Sequence, residues 1–328
     1  MKLAKQIAAL GLVLLLFAAF HLAMYLLLTR RLVSNFGSTA QAQMVDVGRY
    51  LPHEEGSDLP HLAASVRLSG DLPVLDGAAA LVPVYAAVIE NLYPAGCVRY
   101  EGGQFSDDNY YGENFAADSA MQYNNTVRGY QAIVDGSTDL FFCAAPSQEQ
   151  QAYAEGQGAE LVFVPIGLEA FVFFVNEHNP VQGLTTDQLR GIYAGEYTNW
   201  AEVGGPDRVI NPVTRMEGSG SQTVFEAFMD GTPIGKKSLF AILGGSVGFS
   251  FRFYVEGMTG EQGIRLLALD GAYPSAENIQ SRSYPLVVPF YAVYRADNDN
   301  PNLPLLIDWL LSEEGQEMIA QTGYLPLG

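Results

Sequence analysis

The chain has 328 residues, 48% of them hydrophobic and 16% charged, and carries a formal net charge of −19 from 17 basic and 36 acidic side chains. The length accommodates two lobes, and the composition describes a globular protein with a membrane segment rather than a disordered chain. So acidic a balance argues against nucleic acid or anionic lipid as partners. It leaves a small anion open, because backbone dipoles act locally while surface charge is screened beyond roughly 10 Å at 0.1 M salt.

Residues 7–28 are apolar except for His21. As a helix this run rises about 33 Å, enough for a bilayer core of about 30 Å. It exceeds the roughly 7–15 apolar residues of a cleaved signal. The cleavage-like Ala40-Gln41-Ala42 lies well beyond it. Residues 1–31 therefore read as an uncleaved single-pass anchor that leaves the soluble domain extracytoplasmic, with cleavage as the alternative. Lys2 and Lys5 before the run nearly balance Arg30 and Arg31 after it, so charge sets no orientation. His21, without an obvious partner, reads as a tolerated or interfacial residue. Residues 32–69 mix Gly, Ser, Gln, Pro and acids without period, as a linker or an ordered extension does.

From residue 70 strands and helices alternate. A short strand over 72–75 leads through Asp76-Gly77-Ala78-Ala79-Ala80 into a helix over 82–92. A strand at 98–100, a polar tyrosine-rich loop over 101–122, a helix over 127–134 opened by Asn125 and Thr126, and a buried strand over 140–143 follow. This order predicts a parallel α/β sheet. A longer apolar strand over 169–176 begins a second block. That block has a helix at 186–193, a turn at Asn199-Trp200, a strand at 209–213 and a helix at 224–229. The cluster Phe249, Phe251, Phe253 and Tyr254 reads as core. A second long strand over 284–294 precedes helices over 303–311 and 314–321. Two long strands bracketing an α/β insert predict two lobes joined by two crossings, 70–168 with 285–328 and 169–284. Ligands of open α/β sheets gather at loops beyond the carboxyl ends of strands, here 76–80, 124–128 and 215–222.

The last of these loops is the most telling. Arg215-Met216-Glu217-Gly218-Ser219-Gly220-Ser221-Gln222-Thr223 places a cation, two glycines and two small hydroxyls at a helix start. First-turn N–H groups are unpaired and sit at the positive end of the helix dipole, so they attract an oxyanion. Glycine permits close approach, and a guanidinium offers a planar two-toothed contact. The plain alternative is a helix cap after a loop. Other motifs fail on spacing. Gly231 to Ser238 is one residue short of a phosphate-binding P-loop, and Gly218-Ser219-Gly220 lacks the spacing of a nucleophile elbow. His21, His53, His61 and His178 form no triad or metal set. Cys97 and Cys143 read as free thiols, or as a disulfide outside the cell.

Several short motifs recur in order and spacing: Asp76-Gly77, Asn125-Thr126, Gly136-Ser137-Thr138-Asp139-Leu140, Ile192-Tyr193-Ala194-Gly195 with Thr198-Asn199-Trp200, and Val203-Gly204-Gly205. The Arg215–Gln222 loop follows, then Ser312-Glu313-Glu314-Gly315-Gln316 and Thr322-Gly323-Tyr324-Leu325-Pro326. Over residues 70–328 the chain resembles the phosphate-binding proteins of ABC transporters. The resemblance implies the two-lobe type II periplasmic-binding-protein fold and capture of inorganic phosphate between the lobes for an ABC permease. It implies no enzymatic chemistry, cofactor or metal. It places ligand contacts on Ala79, Ala80, Thr126, Asp139, Arg215, Ser219, Gly220 and Ser221. Many relatives carry a hydroxyl in the first loop, whereas here Ala78-Ala79-Ala80 offers only backbone N–H groups; Arg128, two residues past Thr126, reads first as a solvated helix residue, with compensation for the missing hydroxyl as the alternative. Asp139 is expected to face the ligand, where a carboxylate accepts the proton that hydrogen phosphate carries and sulfate lacks. The rival readings are an oxyanion-sensing or adhesion module without transport, separable by neighbouring permease and ATPase genes, and a hydrolase, which lacks a nucleophile–base pair.

Overall fold

The computed structural model describes residues 11, 15–22, 24, 45, 47–105, 111–235, 244–258 and 263–327. The chain forms two compact units, 1–45 and 46–328. In the first, residues 15–22 are helical, and a ring nitrogen of His21 lies 2.9 Å from the Phe17 carbonyl one turn earlier. That bond gives the polar ring a partner within its own helix. Most of the apolar run over 7–28 lies outside the described residues. Among those described, no helix is long and apolar enough to cross a membrane.

The second unit opens with a wrap rather than a linker. Val47, Tyr50, Leu59 and Leu68 are buried. Asn91 donates to the Pro60 carbonyl (2.9 Å) and accepts from Leu62 N–H (2.6 Å), while Glu90 lies 2.9 Å from His61 Nδ1. The helix that carries these two residues, α1 (Val82–Leu92), follows strand β1 (Leu75–Gly77). Pro83 stands in its first turn, where a missing N–H costs nothing, and every residue except Glu90 is buried.

A hairpin of β2 (Tyr100–Phe105) and β3 (Tyr111–Phe115) occupies much of the stretch expected to be loop. Strand pairing, which local polarity does not reveal, supplies its order. Helix α2 (Asn125–Asp135), strand β4 (Leu140–Cys143), helix α3 (Gln148–Gly156) and the 16-residue strand β5 (Leu161–Asn176) complete the first block. Strand β5 thus begins eight residues earlier than the apolar run beginning at Glu169 suggested. Its first half is only half buried, and pairing with a neighbour extends it.

The next block runs through β6 (Gly183–Leu184), α4 (Thr186–Ala194), β7 (Ile210–Pro212), α5 (Gly220–Met229), β8 (Gly245–Phe251), β9 (Ile264–Leu266), β10 (Ala268–Leu269) and α6 (Ala276–Gln280). Strand β11 (Val287–Arg295), α7 (Leu303–Leu311) and α8 (Glu313–Gln321) end the chain. The main sheet has the order β1-β4-β11-β5-β8-β7, with β9 also paired to β5. β1 and β4 are parallel, as are β7 and β8, whereas β11 is antiparallel to β4 and β5, and β5 is antiparallel to β8. The sheet is therefore mixed rather than parallel throughout. β5 pairs with β11 up to Ala170 and with β8 from Phe171, so one strand serves both halves of the sheet.

Glu169 sits at this handover. It is buried, and its carboxylate accepts from Ala170 N–H (2.7 Å) and Phe253 N–H (3.3 Å). Burial pushes it up from 4.5 to about 7 against the pull of those two donors and of Arg252. Beside it Tyr324 packs on Phe253 and Phe290, and its hydroxyl donates to the Ala80 carbonyl in the loop after β1. A carboxylate raised on folding binds protons that the unfolded chain releases. Its stabilisation is therefore full below about pH 4.5 and is lost as pH rises through about 7. The full swing is on the order of 3 kcal/mol. Glu169→Gln should match the parent more closely at pH 5 and gain stability relative to it as pH rises to 8, as read in thermal melts. A difference independent of pH would show that the carboxylate is not held in this state.

Candidate anion site at converging helix starts

β1 and β4 are parallel, so the segments after them emerge at one edge of the sheet. Ala78 N–H donates to the Phe142 carbonyl (2.8 Å), which carries the pairing into the loop and sets it beside the end of β4. Asp76 then places the start of α2. This wholly buried carboxylate accepts from Asn124 N–H (2.9 Å), Asn124 Nδ2 (2.8 Å) and Gly77 N–H (2.7 Å). Burial raises it from 3.8 to about 6, and the three donors hold it below where desolvation alone would put it. Held there, Asn125 reaches back to the first loop: its Oδ1 accepts from Ala79 N–H (3.3 Å), Thr126 N–H (2.7 Å) and the Thr126 hydroxyl (3.4 Å).

The third loop arrives from the other half of the sheet. Phe225 on α5 stacks on Phe249 of β8, with ring centroids 4.2 Å apart and planes 6° apart, and Phe173 and Tyr193 pack around them. This apolar anchor fixes where the first turn of α5 points. Ser219 caps that turn by accepting from Gln222 N–H (3.3 Å), and Gln222 accepts in return from Arg215 N–H (3.0 Å). Gly218 adopts φ +75°, in the left-handed region that favours glycine, so the chain can turn sharply before the cap. A Cβ added at Gly220 would lie 3.7 Å from Thr126 Oγ1, 3.8 Å from the Phe251 ring and 4.0 Å from the Ala144 methyl; one added at Gly218 would lie 3.3 Å from Val127. A Cβ at Gly220 would thus bridge the starts of α2 and α5, which leaves a gap between them about one side-chain carbon wide. Two helix starts, each with a positive dipole end, border that gap.

The structure brings together most of the residues that the sequence nominates. Ala79 and Thr126 meet through Asn125, Gly220 approaches Thr126, and Ser219 and Ser221 belong to the same turn as Gly220. Ser221 is only 7% exposed. Ala80 lies in the first loop with its carbonyl taken by Tyr324. Arg215 is half buried, with its guanidinium carbon 6.0 Å from the Tyr254 ring centroid. Arg128 is half buried on the exit side of the same first turn of α2. Ser219 is both a cap and part of the anion loop, so the two readings of that stretch are compatible.

Asp139 is a correction. It precedes β4 and lies at the opposite edge of the sheet from the site. Asp139 Oδ2 accepts from Val74 N–H and Oδ1 accepts from Asn298 Nδ2, both at 2.8 Å. Extended chain rises about 3.3 Å per residue, so Asp139 is roughly 16 Å from Ala144 at the other end of the strand. It braces strand starts and does not face the ligand loops. The phosphate-over-sulfate argument built on it falls with its position. Sequence reasoning also missed Asp76 and Asn125. The only signal for Asp76 was an acid just before a glycine at a strand end, and nothing local marked Asn125 as folding over its own helix. Both cysteines are free, and burial pushes the Cys97 thiol up to about 11 and the Cys143 thiol higher still. Among the described residues, no cluster of His, Cys, Asp and Glu is arranged to hold a metal.

Comparison with known proteins agrees with this architecture. A model of the PBP superfamily domain matches residues 107–314, and the chain belongs to that superfamily. Its type II periplasmic-binding-protein fold is shared with solved structures. One, from Clostridium perfringens, is described as a phosphate ABC transporter substrate-binding protein with bound phosphate. It is 22% identical with a TM-score of 0.56, over 78% of this chain and 99% of that one. Another, an ABC-type phosphate transport receptor from Vibrio cholerae, is 21% identical with a TM-score of 0.52, over 77% of this chain and 99% of that one. Among curated relatives, the phosphate-binding protein PstS of Bacillus subtilis (strain 168) is 25% identical over 66% of this chain and 73% of its own length. The protein of the same name from Borreliella burgdorferi is 27% identical over 52% and 66%.

Asp139→Ala should separate the two roles considered for this residue. Loss of two charge-assisted hydrogen bonds should cost about 1–3 kcal/mol of stability, seen as a lower denaturation midpoint. Oxyanion affinity of the folded variant should stay within about twofold of the parent, since the residue lies some 16 Å away. A tenfold loss of affinity without loss of stability would return Asp139 to the site.

Proposed function

We propose that this protein is an extracytoplasmic solute-binding protein that captures inorganic phosphate and presents it to the permease of an ABC importer. The observation that carries the reading is the convergence of two helix starts at Thr126 and Gly220, across a gap that a single added Cβ would bridge. Each brings first-turn N–H donors and a positive dipole end, and Ser221, a largely buried residue, adds a hydroxyl. Relatives whose names carry phosphate binding supply the identity of the anion.

In this reading 70–168 with 285–328 form one lobe and 169–284 the other. The shared strand β5 and its partner β11 are the crossings, and closure brings the α5 turn onto the first two loops. Ligand contacts fall to the N–H groups of Ala79 and Ala80, to Thr126, to the Ser219-Gly220-Ser221 turn and to Arg215. Arg215 neutralises charge that the dipoles only partly offset. The protein performs no chemistry on the ligand. The apolar run over 7–28 anchors it as a single span that is kept in the mature chain.

Calorimetry of the purified full chain against phosphate, arsenate, sulfate and molybdate tests the ligand. Phosphate should bind, and absence of heat with phosphate alongside binding of another oxyanion would replace it. Arg215→Ala should cost at least about 2 kcal/mol, more than tenfold in affinity, because it removes charge-assisted hydrogen bonds in a desolvated site. Unchanged titrations would exclude Arg215. For the anchor, N-terminal sequencing of membrane-extracted protein should begin at or near Met1; a start near Gln43 would mean cleavage.

A further inference from the structure

The donors that an oxyanion would use are not idle. Thr126 N–H, the Thr126 hydroxyl and Ala79 N–H all point at one acceptor, Asn125 Oδ1, at 2.7, 3.4 and 3.3 Å. These donors come from two separate loops, and the acceptor they share belongs to the first residue of α2. Asn125 reaches them because its backbone is left-handed, with φ 59°. A residue at a helix start normally points away from the N–H that follows it, and this conformation folds the carboxamide over its own helix end. Asparagine adopts it at lower cost than other non-glycine residues. A Cβ added at Gly220 of the third loop would lie 3.7 Å from the same hydroxyl. The carboxamide oxygen therefore lies where the first two loops meet, on the side that faces the third.

We propose that Asn125 is a built-in competitor for the ligand: its Oδ1 takes the hydrogen bonds that one ligand oxygen would take, and binding requires the side chain to swing away. This rests on the reading of the site as an oxyanion cleft. A carboxamide oxygen is a neutral acceptor, and an ionised oxygen is the stronger partner for the same donors, so exchange favours the anion. The hydrogen bonds given up are set against those gained. Asn125 thus raises the ligand concentration at which the cleft fills, and it selects for ligands whose oxygens out-compete an amide.

The test uses two substitutions in the full chain. Asn125→Gly keeps the left-handed backbone and removes the acceptor. Asn125→Asp keeps the shape and makes the acceptor anionic. Phosphate should bind the glycine variant about tenfold more tightly than the parent and the aspartate variant at least about tenfold more weakly. Weaker binding by the glycine variant would overturn the proposal, because the carboxamide would then be a ligand contact. Unchanged binding by the aspartate variant would overturn it as well. Amide hydrogen exchange without added anion reads the competitor directly. Thr126 and Ala79 should lose protection in the glycine variant and keep it in the aspartate variant. Equal protection in all three proteins would overturn the proposal. If the parent bound no phosphate, the functional reading would fall, and the exchange measurement would still decide whether Asn125 holds these donors.

Discussion

A single buried carboxylate governs the geometry of the ligand loops. Asp76 lies within β1 with no exposure, and an unpaired charge there would be prohibitive. Its three donors are what make it tolerable, and two of them belong to Asn124. The charge therefore cannot be satisfied unless the start of α2 is drawn onto the end of β1. Once Asn124 is fixed, Asn125 and Thr126 stand beside Ala79, and the first two loops become one surface. Gly129 on the next turn completes the fit, because a Cβ there would lie 2.4 Å from the Phe141 ring and 3.2 Å from Asp76. Electrostatics and close packing impose the same placement.

The other side of the site is placed by apolar packing alone. Phe171, Phe173, Tyr193, Phe225 and Phe249 form a continuous aromatic cluster beneath α5. Stacked and tilted rings contribute beyond their buried area, and they restrict rotation of the helix. The α5 turn is thus presented rigidly, while its own hydrogen bonds, Ser219 to Gln222 and Gln222 to Arg215, are local. The two halves meet along β5, where Glu169 and Tyr324 link the strand, the segment after β8 and the loop after β1.

The net charge of −19 does not conflict with the proposed anion site, because charge at a distance is screened by salt. In that proposal backbone dipoles would act in a partly desolvated place, where each is worth more than in water. The buried Asp76 has its oxygens occupied by donors of Asn124 and Gly77, within the first two loops.

Local pattern was enough to read α1, β4, α7 and the core of α2, α4 and α5, because each has an apolar period or run bounded by glycine, proline or a capping residue. It was also enough to nominate three loops and candidate residues on them, because a hydroxyl or glycine at a helix start can cap the helix or face an anion. Long-range pairing was not legible. The β2–β3 hairpin, the early start of β5 and the antiparallel placement of β11 arise from neighbours distant in sequence. Asp139 shows the limit most clearly. It and Ala144 flank the same four-residue strand, yet one strand length decides which end reaches the ligand. Asn125 and Asp76 became visible only when three loops were assembled, since their partners lie 46 and 48 residues away. The sequence determined which groups can bind an anion; only the tertiary structure decided which of them meet, because hydrogen bonds and packing act through distances the chain closes only by folding.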